Sequence, residues 1–280
     1  MNIIQDKYFS GERPLYASRD MRLERVRIGE GESGLKESRR IAAVDCEFGG
    51  KYVIWECEDV ECRNCHFAAS DRAPMWYCRN LRMYDCRIDA PKAFREIDGL
   101  MLERIQITDG AETFWRCRNG QIADLRIENG TYVFMYADSF HISQFWLIGR
   151  YAFQYARNIE IHNAVLDTKD AFWESRNCTV YDSEIRSEYL GWYSENLRLV
   201  RCRISGTQPL CYCRNLVLED CVLDPDADLA FENSSVKAII RGAVSSIKNP
   251  MTGIIRCESV GQLILDEHIL PPADCVIQLA

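Results

Sequence analysis

The chain holds 280 residues, 47% of them hydrophobic and 27% charged, and its 34 basic residues against 42 acidic ones leave a formal net charge of −8. Such a balance excludes wholesale disorder. It also argues against affinity won by neutralising phosphates, so no nucleic-acid partner is expected.

The first residues, Met1-Asn2-Ile3-Ile4-Gln5-Asp6-Lys7, carry neither a basic start followed by an apolar run nor a small-residue cleavage site. No stretch approaches the roughly 18 apolar residues of a membrane span. A cytoplasmic chain with no membrane partner is therefore predicted. Its 14 cysteines are expected as reduced thiols, because disulfide scaffolds belong to short secreted chains. Residues 1–14 show no repeat and are expected to form an N-terminal cap.

From residue 15 onward the chain repeats. The segments MWYCRNLRMYDCRI (75–88), FWRCRNGQIADLRI (114–127), GWYSENLRLVRCRI (191–204) and LCYCRNLVLEDCVL (210–223) fall into register. Rungs start at 15, 35, 54, 75, 94, 114, 134, 153, 172, 191, 210 and 230, with a distorted one near 254, and a period this constant is the signature of a solenoid. Within a rung the seventh, ninth, twelfth and fourteenth residues are apolar, as in Leu81, Met83, Cys86 and Ile88. Steps of two are strand steps, and the step of three marks a bend. No sustained 3.6-residue stripe appears. The prediction is an all-β, single-stranded parallel β-helix over 15–240, of about 12–13 rungs of 19–21 residues, each strand pairing with its equivalent one rung on.

The sixth column is rich in Asn and Asp (Asp20, Asp59, Asn80, Asn119, Asn158, Asn177, Asn196, Asn215). These residues tolerate a left-handed backbone and suit a repeated turn, where stacked Asn side chains can bond along the axis. Charges in the fifth column mostly alternate in sign, which fits a register-fixing ladder. Residues 241–280, with Pro250, Pro271 and Pro272, are expected as an irregular last rung and C-terminal cap, the whole chain being a single domain.

Segments such as EYLGWYSENL (188–197), GTQPLCYCRNLVLEDC (206–221) and SSIKNPMTG (245–253) resemble an uncharacterised bacterial family, domain of unknown function 3737, whose repeats are similar to those of pectin-lyase-like β-helix proteins. The resemblance implies a right-handed coil. It implies no activity, because that family carries no catalytic motif, and the wider superfamily holds both enzymes and binding proteins.

Cys57, Cys62, Cys65 and His66 have metal-like spacing, but the three cysteines occupy columns that are apolar or small elsewhere, so they are read as buried packing residues; neither a metal nor a cofactor is expected. Five tryptophans (Trp55, Trp76, Trp115, Trp173, Trp192) share the second column. Parity with the small fourth column turns them inward; exposed, they would form a stacking platform for sugar rings. The third column is outward on the same parity and mixes carboxylates with phenols. Glu37 and Glu56 stacked as like charges would raise one pKa, and Glu96 beside Arg116 reads as a ladder salt bridge. Asp224-Pro-Asp-Ala-Asp228 reads as a polar turn before a calcium loop.

Two functional classes remain open. A non-catalytic scaffold or binding protein with a flat face fits the short turns and regular columns, with an oligosaccharide or a protein as partner and a homo-oligomer as its possible assembly. The alternative is a carbohydrate-active enzyme of lyase, hydrolase or epimerase type, with Glu174, Tyr193 and Glu56 as candidate catalytic groups. The ligand surface expected in either case comprises Tyr155, Glu174, Tyr193, Tyr212, Trp173 and Trp192.

Overall fold

In a computed structural model, which describes residues 2–279, the described residues form strands, bridges, turns and bends with no helix. The chain divides into two compact units, Met1–Gln144 and Phe145–Ala280. Each is a stack of parallel rungs. In the first, Arg79–Ile88 pairs with Asp98–Ile107, placing Leu81 on Leu100 and Ile88 on Ile107. In the second, Arg157–Lys169 pairs with Arg176–Tyr181 and Glu184–Glu188, with Ile159 on Cys178 and Leu166 on Ile185. These are the predicted seventh and fourteenth columns, one rung apart.

The N-terminal stretch differs from the expected cap. Asn2–Gln5 pairs in parallel with Arg19–Glu24, and Tyr8–Glu12 pairs with Arg27–Glu32, so these residues extend the ladder by another rung. At the other end, Thr252–Cys257 pairs with Val276–Leu279 and Ala243–Lys248 with Ser259–Ile264. The strands persist there although the sequence period is lost.

Corners carry the architecture. The sixth-column residues Asn80, Asn119, Asn158, Asn177, Asn196 and Asn215 all have φ of 53–58°, as their chemistry predicts. In the second unit the Asn side chains bond in series, Asn177 Nδ2 to Asn158 Oδ1 at 3.2 Å, Asn196 to Asn177 at 2.8 Å and Asn215 to Asn196 at 3.1 Å. The bend read between ninth and twelfth residues is a left-handed eleventh residue, as at Asp85, Arg104, Asp182, Arg201 and Asp220. That column forms a second ladder: Arg104 donates to both Asp85 oxygens at 2.5 and 3.0 Å, and Arg201 to both Asp182 oxygens at 2.6 and 2.7 Å. Bidentate guanidinium–carboxylate pairs fix geometry more than stability at such exposed positions.

All 14 thiols are free and 13 of them are buried. They also act as donors, a role beyond simple packing. Fourth-column Cys57, Cys78 and Cys213 point their Sγ at the first-column carbonyls of the preceding rung, Leu35 (3.0 Å), Ile54 (3.2 Å) and Gly191 (3.1 Å). Ser38 and Ser234 do the same with oxygen, toward Leu15 and Leu210. Twelfth-column Cys202 and Cys221 likewise reach ninth-column Val180 O (3.4 Å) and Leu199 O (3.3 Å). These carbonyls lie at the corners, and the thiol is a further donor where a backbone N–H already reaches them, as Ser38 N does Leu35 O (3.1 Å) and Ser194 N does Gly191 O (3.0 Å). Cysteine and serine are small enough to sit under them and still donate.

Aromatic stacks fill the core. Phe114 lies between Phe94 (4.6 Å) and Phe134 (4.3 Å), stacked nearly parallel to both and fully buried. Phe114→Ala should therefore destabilise the protein by about 3–5 kcal/mol, through lost burial and the cavity left behind, as measured by chemical denaturation.

One core group is out of place. Asp71 is completely buried and neither carboxylate oxygen has a hydrogen-bond partner. Burial pushes its carboxyl well above the usual range, and the Val53 backbone, outside hydrogen-bond geometry, offsets this only slightly. The folded chain keeps this proton at pH values where the unfolded chain, with an Asp pKa of about 3.9, releases it. Stability is therefore present at low pH and lost as pH rises from about 4 toward the folded value. Asp71→Asn, neutral throughout, should gain melting temperature relative to the parent as pH is raised from 4 to 8; parallel pH profiles would show that Asp71 does not titrate this way.

Candidate functional site

The third column faces outward as expected: Tyr77, Tyr136 and Tyr193 are 41%, 40% and 50% exposed. The second column does not follow the expected parity. Trp55, Trp76, Trp115, Trp173 and Trp192 are half-buried, not core. The core position is the first column, with Phe94, Phe114, Phe134, Phe153 and Phe172 fully buried. Left-handed residues explain the difference. In most of these rungs the first and third residues both have positive φ, as at Phe172 (59°) and Glu174 (51°) or Leu210 (64°) and Tyr212 (59°). Strict in-out alternation holds only for extended backbone, so here residues one and four point inward while two and three share the outer face.

The indoles stack on one another from rung to rung along that face. Trp192 Nε1 donates to Gln208 O and Trp76 Nε1 to Lys92 O, each at 2.7 Å. In the first unit Trp55 stacks on Trp76 at 5.1 Å, and Arg95 sits over the faces of Trp76 (4.7 Å) and Trp115 (5.1 Å). In the second unit Trp173 stacks on Trp192 (5.4 Å), Tyr193 on Tyr212 (4.9 Å), and Trp192 meets Tyr212 edge-on (5.2 Å).

On this second strip lies a groove of about 620 Å³. Trp173, Tyr193 and Tyr212 are its aromatic lining, Glu174, Arg176, Glu195 and Arg214 its charged rim, and Asn233, Met251 and Leu270 its wall on the C-terminal side. Of the residues expected at a ligand surface, Trp173, Glu174, Tyr193 and Tyr212 thus converge. Trp192 lies against them through its ring contacts. Tyr155, half-buried, hydrogen-bonds through its N–H to Trp173 O at 2.8 Å but does not line the groove.

The groove's charges are unequal. Arg176 pairs with Glu195 at 3.7 Å, as a fifth-column ladder should. Glu174 stands exposed, its N–H bonded to Trp192 O at 2.8 Å but its carboxylate with no hydrogen bond or ion pair among the described residues. Burial raises the Tyr212 phenol, with the nearby Glu232 carboxylate and Tyr193 adding to it. Glu232 is itself buried and held by Lys248 at 2.9 Å.

Glu56 belongs to the first unit, where Lys36 lies 3.4 Å from it and 3.9 Å from Glu37. The expected like-charge stack of Glu37 and Glu56 is therefore neutralised by an ammonium, and Tyr16 donates to Glu37 at 2.6 Å. The expected Glu96–Arg116 bridge does not form among the described residues; Arg116 lies over the Tyr136 ring at 5.3 Å instead. His66 pairs outward with Asp89 at 2.8 Å, while Cys57, Cys62 and Cys65 are buried. In the 224–228 turn Asp224 is tied to Arg203 (2.8 Å) and its carbonyl accepts from Ala227 N (2.9 Å), the geometry of a polar turn.

With the solenoid and its groove described, the sequence relationship can be placed. The family profile described as Protein of unknown function (DUF3737) matches residues 2–278. The chain belongs to the DUF3737 family. No curated protein matches it. Solved structures that it resembles include HetL, a pentapeptide repeat protein involved in heterocyst differentiation regulation in the cyanobacterium Nostoc, at 10% identity over 81% of this chain and 92% of HetL, with a TM-score of 0.33. They also include PfbA, a surface adhesin of Streptococcus pneumoniae, at 9% identity over 92% and 81% with a TM-score of 0.29. The periplasmic alginate epimerase AlgG is 11% identical over 99% and 74%, with a TM-score of 0.28. None of these similarities bears on the ligand or chemistry of this DUF3737 chain.

Sequence reasoning missed the C-terminal wall, because Asn233, Met251 and Leu270 lie where the repeat has faded. Asn233 holds that wall by two bonds, donating from Nδ2 to His268 O (3.2 Å) and accepting from Leu270 N at Oδ1 (2.8 Å). Asn233→Ala should release residues 266–270, seen as faster hydrogen exchange at the Leu270 amide, with a stability loss of about 1–2 kcal/mol.

Proposed function

We propose that this DUF3737 protein is a non-catalytic β-solenoid binding protein, and that the aromatic groove of its second unit takes an oligosaccharide. The observation that carries this reading is the convergence of Trp173, Tyr193 and Tyr212 with a hydrogen-bonding rim in one groove. Flat apolar rings beside fixed polar groups suit a sugar, which offers C–H faces to the rings and hydroxyls to the rim. Thirteen buried free thiols support a reducing, cytoplasmic setting.

Binding is favoured over turnover by the state of the carboxylates. Glu195 is occupied by Arg176. Glu174 is exposed, and its third-column neighbours are Tyr155 and Tyr193 and not a second carboxylate of the kind a glycoside-cleaving pair needs. Titration calorimetry with neutral and acidic oligosaccharides tests the proposal. Binding that quenches tryptophan and falls about tenfold or more in Trp173→Ala/Tyr212→Ala, a loss of roughly 1.4 kcal/mol, is the expected result. Conversion of a saccharide that stops in Glu174→Gln would instead establish the carbohydrate-active enzyme. No binding to any saccharide would leave the face to a protein partner.

A further inference from the structure

A second groove of about 680 Å³, formed by other columns of the same unit, has a different chemistry. It draws on five successive rungs, about 19 Å at the usual strand spacing, and lacks tryptophan; its charged lining is Arg150, Asp167, Lys169, Arg186, Glu188 and Asp226. Gly206 lies in its lining with φ of 103°, and a Cβ there would approach the Ser187 backbone to 2.6 Å. This stretch of wall must therefore stay bare.

Elsewhere in the unit, opposite charges on neighbouring rungs often close into pairs, as Arg201 with Asp182, Arg198 with Glu219 and Arg203 with Asp224. In this groove one such pair stays open. Arg186 is in register with Asp167, yet no ion pair forms between them among the described residues, and Arg150 likewise has none. Arg150 is also stacked against a like charge: the Tyr151 N–H bonds to Lys169 O at 2.7 Å, which sets residues 150 and 151 one rung before Lys169 and alongside it. Lys169 reaches Glu188 at 3.1 Å and lies over the Tyr189 ring at 5.3 Å. Stacked like charges cost stability unless something neutralises them, and two unengaged guanidinium forks present paired donors with the geometry of an oxyanion.

We infer that the Arg150–Lys169–Arg186 end of this polar groove is an anion site for a ligand bearing a carboxylate or phosphoryl group, separate from the aromatic groove. Asp167 and Glu188 lie within this end, Glu188 already held by Lys169, so the two arginines carry the site. Asp226, two rungs beyond Arg186, repels the anion from the other end and so fixes which way such a ligand lies.

Thermal melts and calorimetry with inorganic phosphate and with malonate, against sodium chloride at equal ionic strength, test it. A rise of a few degrees over the chloride control, lost in Arg150→Gln/Arg186→Gln and retained in Trp173→Ala/Tyr212→Ala, is the expected result. A response to phosphate alone assigns a phosphoryl ligand, and one to malonate alone a carboxylate. A response equal to that of chloride, or unchanged in the double arginine variant, overturns the site. Because the aromatic variant is read separately, failure here leaves the oligosaccharide proposal standing, and the reverse also holds.

Discussion

A parallel coil of this kind depends on bending the chain at the same columns in every rung. Each bend is made by a residue held at φ near +55°, which costs an ordinary L-residue about 1–2 kcal/mol. Rung-on-rung pairing offsets that cost by stacking every strand on its equivalent and burying its inward face. Asn and Asp lower the cost in the sixth and eleventh columns. In the first and third columns Phe, Tyr and Glu occupy the same conformation without such help, held there by the packing of Phe on Phe inside and of the ladder outside.

The same bends bring corner carbonyls within reach of the cysteines. A buried carbonyl has room for two donors, and the fourth and twelfth columns provide one from the next rung in residue after residue. Cysteine abundance in this chain is thus not a disulfide framework, since all 14 thiols are free. Ser38 in the fourth column and Ser234 one place beyond it, doing the same work, show that the requirement is a small donor, not a thiol. Asp71, Thr113 and fourth-column Ser175 are exceptions, since their buried side-chain oxygens have no hydrogen-bond partner.

Because the bends also decide which side chains share a face, they create the two surfaces that distinguish the second unit. One turns Trp173, Tyr193 and Tyr212 outward beside a charged rim; the other leaves arginines without partners in a polar groove. In a solenoid a column is one kind of chemistry repeated at the strand spacing, so a site arises where a column changes character. Both grooves are such places: the aromatic one ends at the wall of Met251 and Leu270, and in the polar one the column runs from Arg150 and Lys169 to Glu188 and Asp226.

Much of this was legible in one dimension. Periods of two within blocks of nineteen to twenty-one set the strands and their register, since a parallel ladder repeats its side-chain pattern once per rung. Asn and Asp at the sixth position marked a left-handed turn because their side chains make that conformation cheap. The outward third column, with Glu174, Tyr193 and Tyr212, followed from the same alignment. The direction of the tryptophans did not, because alternation assumes extended backbone and the flanking left-handed residues are Phe, Leu, Glu and Tyr, which do not advertise it. Nor did the pairing of individual charges, where Lys36 separates Glu37 from Glu56 and Arg186 misses Asp167, since those depend on side-chain reach across rungs. The wall around Asn233 and Leu270 was likewise settled only by tertiary structure, which brings residues 37 positions apart into contact after the repeat has ended.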